Sequence, residues 1–154
     1  MNIKIVCPGK IKEKWLNEGI AEYVKRLSKY TSVSFFEVPD SPDSLPVERA
    51  LEQEGKLILS KIKQDEYVWV MDLHGKELTS EEMSSELISA LEKGGANLTV
   101  VIGGSNGLYK DVVARANKRI CLGKITLTHQ MTRLIILEQL YRGFKIAGNE
   151  KYHK

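Results

Sequence analysis

The chain closes on Tyr152-His153-Lys154, an aromatic ring, an imidazole and an ammonium at three consecutive positions. On a chain end such groups can stack on a nucleic-acid base, move a proton and bind phosphate. The plain alternative for a terminus is disorder without a role. Upstream, His129, Arg133 and Arg142 share one helical stretch. Arginine suits bidentate phosphate recognition. A first-turn histidine can touch phosphate, transfer a proton or serve structure alone. Glu138 and Arg142 are four apart, so they can also simply pair with each other.

Two loop segments precede that helix. Gly103-Gly104-Ser105-Asn106-Gly107 follows a buried strand and leads into a helix. Its glycines let the backbone turn sharply and offer free N–H groups to an acceptor. A tight turn without a ligand has the same composition, and the segment matches neither the dinucleotide nor the P-loop fingerprint. Leu122-Gly123-Lys124-Ile125-Thr126-Leu127 joins one glycine to three aliphatic side chains, a surface suited to an adenine ring. It reads equally well as a core strand ending in a turn.

Alternating strands and helices must position these segments. Ile3–Val6, Val33–Val38, Tyr67–Leu73, Leu98–Ile102 and Arg119–Leu122 read as strands. Helices are expected over Glu13–Tyr30, with Trp15, Leu16, Ile20, Tyr23, Val24 and Leu27 as the apolar stripe, and over Pro46–Ile62, capped by Ser44. Thr79 and Glu82 form a capping box for a third helix that Gly94-Gly95 ends. Lys110–Asn117 and His129–Ile146 complete the set, the last with Leu134, Leu137, Leu140, Tyr141 and Phe144 along one stripe. Buried strands alternating with helices predict an α/β fold, a mainly parallel sheet flanked by helices.

With 154 residues, 42% hydrophobic and 28% charged, the expectation is one soluble domain. No apolar run approaches a membrane span, and the first residues read as a strand, not a signal peptide. Cys7 and Cys121 stand apart, without metal-ligand spacing, and read as buried free thiols in a reducing cytoplasm. The net charge of +3 is unevenly divided. Residues 1–102 carry 13 Lys+Arg against 17 Asp+Glu, net −4, while residues 103–154 carry 10 against 3, net +7. A solvated basic face accounts for this, and so does a polyanionic partner near the glycine turns.

In order and spacing, the glycine turn, Leu122–Gln130, Glu138-Gln139-Leu140-Tyr141-Arg142 and the terminal Tyr-His-Lys resemble the SPOUT-class, or trefoil-knot, methyltransferases. More narrowly, they resemble the ribosomal RNA large-subunit methyltransferase H family, and the resemblance spans nearly the whole chain. It implies a carboxyl-terminal knot around Leu122–Leu127. It also implies S-adenosylmethionine as cofactor, contacted by Met71, Gly103, Leu122, Gly123, Lys124, Ile125, Thr126 and Leu127. The implied assembly is a homodimer, and the implied reaction is methylation of N3 of a pseudouridine in 23S rRNA, with the tail in the active site. That N3 carries an imide proton, which makes His153 the candidate base. Tyr152 joins it in the catalytic tail, and Arg142 or Lys154 would offset negative charge on the ring oxygens. Arg133, Lys154 and His129 are the expected RNA contacts, and no metal is expected. Two departures stand out: many relatives have Ser at Gly123 and Pro at Thr128.

With no separate RNA-binding domain, the expected substrate is an assembled ribosomal surface. Two other classes remain. A non-catalytic ribosome-associated factor would use the same basic half without a cofactor. A nucleotide-dependent oxidoreductase would need the full glycine fingerprint and a following acidic residue, which are missing.

Overall fold

A computed structural model describes all residues, 1–154. Ten elements alternate along the chain: β1 (Asn2–Pro8), α1 (Lys14–Leu27), β2 (Ser32–Val38), α2 (Val47–Ser60), β3 (Val68–Glu77), α3 (Ser80–Lys93), β4 (Asn97–Ile102), α4 (Lys110–Arg115), β5 (Lys118–Cys121) and α5 (His129–Ala147). The strands form one sheet in the order β2-β1-β4-β3-β5. Every pairing is parallel.

Both faces of the sheet are covered, so its strands are apolar on both sides. Ile3, Ile5, Trp69, Leu98 and Val100 point into a core of 19 buried residues that includes Leu16, Leu87, Leu137 and Leu140 from α1, α3 and α5. Their neighbours Val6, Val68, Val70 and Val101 point the other way, toward Ile58 of α2 and Val112 of α4. Strand alternation thus divides the chain between two helical layers. On the larger side α3 and α5 run side by side, with the Ser80 Oγ donating to Gln139 Oε1 at 2.8 Å and Ser84 Oγ to Gly143 O at 2.6 Å.

Local signals set most boundaries. The Thr79 hydroxyl accepts from Glu82 N and the Glu82 carboxylate accepts from Thr79 N, a complete capping box. Gly94 ends α3 as expected. Ser44 does not cap α2; the chain enters that helix through Pro46, with no side-chain cap. Trp15 falls outside the apolar stripe of α1, standing 59% exposed. β3 runs past its apolar part to Glu77, because Lys76 and Glu77 pair with Ile120 and Cys121 of β5 after the register breaks between Met71 and Lys76. Both cysteines are free and buried. No helix is long and apolar enough to cross a membrane.

Candidate active site

Three neighbouring strands, β4, β3 and β5, end on the same side of the sheet, and the loops that leave them enclose a cavity of about 960 Å³. In open parallel sheets the crevice beyond the carboxyl ends of the strands is where ligands sit. Met71, Asp72, Leu73 and His74 enter from β3, the Gly103–Gly107 turn from β4, and Leu122, Gly123 and Ile125–Leu127 from β5. Thr128, the N-cap of α5, and His129, its first residue, close one end.

Seven of the eight expected cofactor contacts therefore meet in one cavity: Met71, Gly103, Leu122, Gly123, Ile125, Thr126 and Leu127. Lys124 does not line it and stands exposed. His129, expected as an RNA contact, borders the same cavity. Leu73 and Ile125 are 61% and 73% exposed, and both lie on its wall. Gly107 and Gly123 have φ of +91° and +140°, with open space where a Cβ would point. The conformation at Gly123 is one that L side chains rarely adopt, so a serine there needs a different local backbone. Thr128 has φ −63°, already the value proline imposes.

The tail forms a second constellation, outside the cavity lining. Tyr152 packs edge-on against Tyr141 with centroids 4.9 Å apart, and the Arg142 guanidinium lies over its ring at 4.8 Å. The Tyr152 hydroxyl donates to Glu138 Oε1 at 3.0 Å. Burial, with Tyr23 and Glu138 beside it, raises the Tyr152 phenol above its ordinary range, so it stays protonated. Glu138 also takes Arg142 at 2.6 Å, the helical pair anticipated from their spacing, and this bond raises the Arg142 pKa. Arg142 Nη1 lies 3.1 Å from His153 Nδ1, and His153 Nε2 lies 2.7 Å from Glu81 Oε1. Arginine only donates, so Nδ1 accepts and Nε2 carries the proton toward Glu81, a neutral tautomer assigned from this network. Lys154 is exposed at the very end.

Arg133 corrects the sequence reading. It was expected to face RNA, yet it is 1% exposed. Its Nη2 donates to the carbonyls of Pro8 and Gly9 at 2.6 and 2.8 Å, and Nη1 to Glu37 Oε2 at 2.9 Å. The residue ties α5 to the ends of β1 and β2. A side chain so placed cannot reach phosphate without breaking the packing.

Sequence reasoning missed Asp72, His74 and Arg119, which also line the cavity. Asp72 had a readable signal, an acidic residue at the end of an apolar run. Arg119 had none, since only the β3–β5 pairing brings it to Asp72. No group of three or more His, Cys, Asp or Glu could hold a metal ion.

A parallel sheet with a glycine-walled cavity at its carboxyl edge is the arrangement of a nucleotide- or cofactor-binding enzyme, and comparison with known proteins narrows it. A family model described as "Predicted SPOUT methyltransferase" matches residues 1–153, so the class is a SPOUT methyltransferase. A Clostridium perfringens protein named "Ribosomal RNA large subunit methyltransferase H 1" is 47% identical, with all of both chains covered. The Enterococcus faecalis protein named "Ribosomal RNA large subunit methyltransferase H" is 48% identical at the same full coverage. The chain belongs to this ribosomal RNA large-subunit methyltransferase H family of SPOUT enzymes. A solved structure titled "The structure of a probable methylase family protein from Haemophilus influenzae Rd KW20" shares the fold. Its TM-score is 0.56 at 17% identity, covering 99% of this chain and 70% of that one.

Proposed function

We propose that this chain methylates N3 of a pseudouridine in 23S rRNA, using S-adenosylmethionine and acting on the assembled ribosome or large subunit. In this reading residues 1–154 are one SPOUT-type domain that works in the cytoplasm as a homodimer and needs no metal. The observation that carries it is the cavity at the ends of β4, β3 and β5, in a chain whose full-length relatives are named for rRNA methylation.

The cavity fits the cofactor. Its volume of about 960 Å³ suits a nucleoside-sized ligand with an extended tail. The Leu122, Ile125 and Leu127 side chains of the β5 loop give an adenine ring an apolar seat, and the Gly107 and Gly123 backbones leave room for close approach. When bound, S-adenosylmethionine supplies a methyl group on a sulfonium.

The remaining work falls to this chain's own residues. The imide proton at N3 must leave before the nitrogen lone pair is available. His153 is the base in this reading: its Nδ1 lone pair is held by Arg142, and release from Arg142 frees it to accept that proton. Arg142 and Lys154 offset charge on the ring oxygens, Tyr152 stacks beside the base, and His129 meets the RNA at the cavity end. From His129 to Arg142 the axis of α5 spans roughly 20 Å at the rise of an α-helix. The docked tail and the cavity of one chain are therefore separate, and the proposal completes each cavity with the tail of the second chain.

The test incubates the protein with methyl-labelled S-adenosylmethionine and ribosomes from cells lacking the gene, then identifies the labelled nucleoside. Label on N3 of a pseudouridine is expected. Equal labelling of a short naked transcript would refute the ribosomal substrate, and an undiminished single-turnover rate in His153→Ala would remove His153 as the base. For the shared site, mixing a chain lacking residues 151–154 with one disabled in the cavity should restore activity that neither has alone.

A further inference from the structure

Across the wall of the cavity only two side chains carry a fixed charge, Asp72 and Arg119. They are paired: Arg119 Nε donates to Asp72 Oδ2 at 2.8 Å, and Nη2 lies 2.7 Å from the same oxygen. Asp72 Oδ1 is taken by the His74 backbone N–H at 3.0 Å, so both carboxylate oxygens are engaged. Burial pushes the Asp72 carboxyl up, but the His74 N–H and Arg119 outweigh it and hold the pKa below the ordinary range. The Asp72 side chain is 10% exposed and that of Arg119 45%. The carboxylate is thus a largely covered anchor, while the guanidinium of this cavity-lining residue is gripped through Nε and Nη2 and its Nη1 has no protein partner. Gly75 makes the arrangement feasible: a Cβ there would meet the Arg119 carbonyl carbon at 2.7 Å, so only glycine lets the β3 bulge rest on β5.

We infer that Arg119 is the seat for the α-carboxylate of the cofactor's amino-acid portion, with Asp72 as the positioning residue that aims the guanidinium. The inference rests on the cofactor reading above and deepens it. S-adenosylmethionine carries a sulfonium, an ammonium and a single anionic group, its carboxylate. Arg119 is the only permanently cationic side chain on the cavity wall, and guanidinium matches carboxylate in geometry as well as charge. Pre-positioning by Asp72 lowers the entropy lost on binding. The adenine end then lies toward the β5 loop and the amino-acid end toward β3 and the edge of β5.

Calorimetric titration of the full-length protein separates the two ends of the ligand. S-adenosylhomocysteine carries the amino-acid portion, whereas 5′-methylthioadenosine lacks it. Arg119→Gln should weaken S-adenosylhomocysteine at least about tenfold and leave 5′-methylthioadenosine within about twofold, since the lost contact is a charge-assisted hydrogen bond. Arg119→Lys should recover part of the loss, and Asp72→Asn should weaken the first ligand alone. Equal weakening of both ligands, or of neither, would overturn the assignment, and unchanged thermal unfolding of Arg119→Gln checks that the fold is intact. If the unaltered protein binds neither ligand, the cofactor reading itself fails and the seat with it. Binding of both by the unaltered protein, with no selective effect of the variants, leaves the cofactor reading standing and sinks only the seat.

Discussion

A single side chain shows how far residue type can mislead. Arg133 sits in the basic part of the chain, on the helix that opens at the cavity, yet it is an interior tie between α5, Pro8, Gly9 and Glu37. Its removal leaves two carbonyls and a carboxylate without their donor in a packed place. Arg133→Ala is expected to lower the unfolding free energy by about 3 kcal/mol, measured by urea denaturation, with RNA affinity of the folded fraction unchanged. A surface arginine would instead cost under about 0.5 kcal/mol. Cys7 makes a second residue-scale case. Burial, opposed in part by Arg133, raises its thiol pKa to about 11. At pH 8 the reactive thiolate is therefore scarce. Alkylation by iodoacetamide, followed on the Cys7 peptide by mass spectrometry, should be on the order of a hundredfold slower in the folded protein than after unfolding.

At the scale of elements, the helix starts that matter carry their own instructions. Thr79 and Glu82 satisfy each other's backbone donors at the head of α3, the helix whose Glu81 holds His153. Thr79→Ala should cost about 1 kcal/mol in thermal or urea unfolding, the usual value of an N-cap. At the head of α5, Thr128 accepts from Met131 N at 3.2 Å and has the φ of proline. Thr128→Pro should accordingly lose the cap but keep the backbone path, with a stability change within about 1 kcal/mol. The Thr79–Glu82 box was legible in the sequence because its two partners lie three residues apart. The edges of β3 and α2 were not. β3 extends through polar residues because β5 is there to pair with them, and no local propensity reports a neighbouring strand.

For the molecule as a whole, the balance of buried charge sets the response to acid. Glu66 is held by Lys4 Nζ at 2.7 Å and by the Thr99 hydroxyl at 2.6 Å. Burial raises its pKa, but Lys4, Thr99 and a Lys63 backbone bond outweigh it, leaving the pKa below the ordinary value; Asp72 is shifted the same way. A carboxylate depressed in the folded state binds protons more readily once unfolded. Its stabilisation is therefore complete above the unfolded pKa, near 4, and is lost as pH falls through the folded value. The melting temperature should be flat from pH 7 to about 5 and drop below about 4. Glu66→Gln should lower stability by about 1.5 kcal/mol at pH 7 and flatten the acid limb, because the titrating group is gone.

The sequence by itself determined the α/β alternation, the capping box, the end of α3 at Gly94 and the loops at Gly103–Gly107 and Leu122–Leu127. Each of these is set by periodicity or by residues within a turn of one another, so the information is local. Tertiary structure alone decided the strand order β2-β1-β4-β3-β5, which brings Met71, Gly103 and Leu122 to one cavity from distant parts of the chain. It decided as well that Arg133 points inward, that Asp72 meets Arg119 across 47 positions, and that the tail docks on Glu138, Arg142 and Glu81. Charges separated so far along the chain find each other only through the order in which strands pair, and burial is a property of that packing, not of residue type.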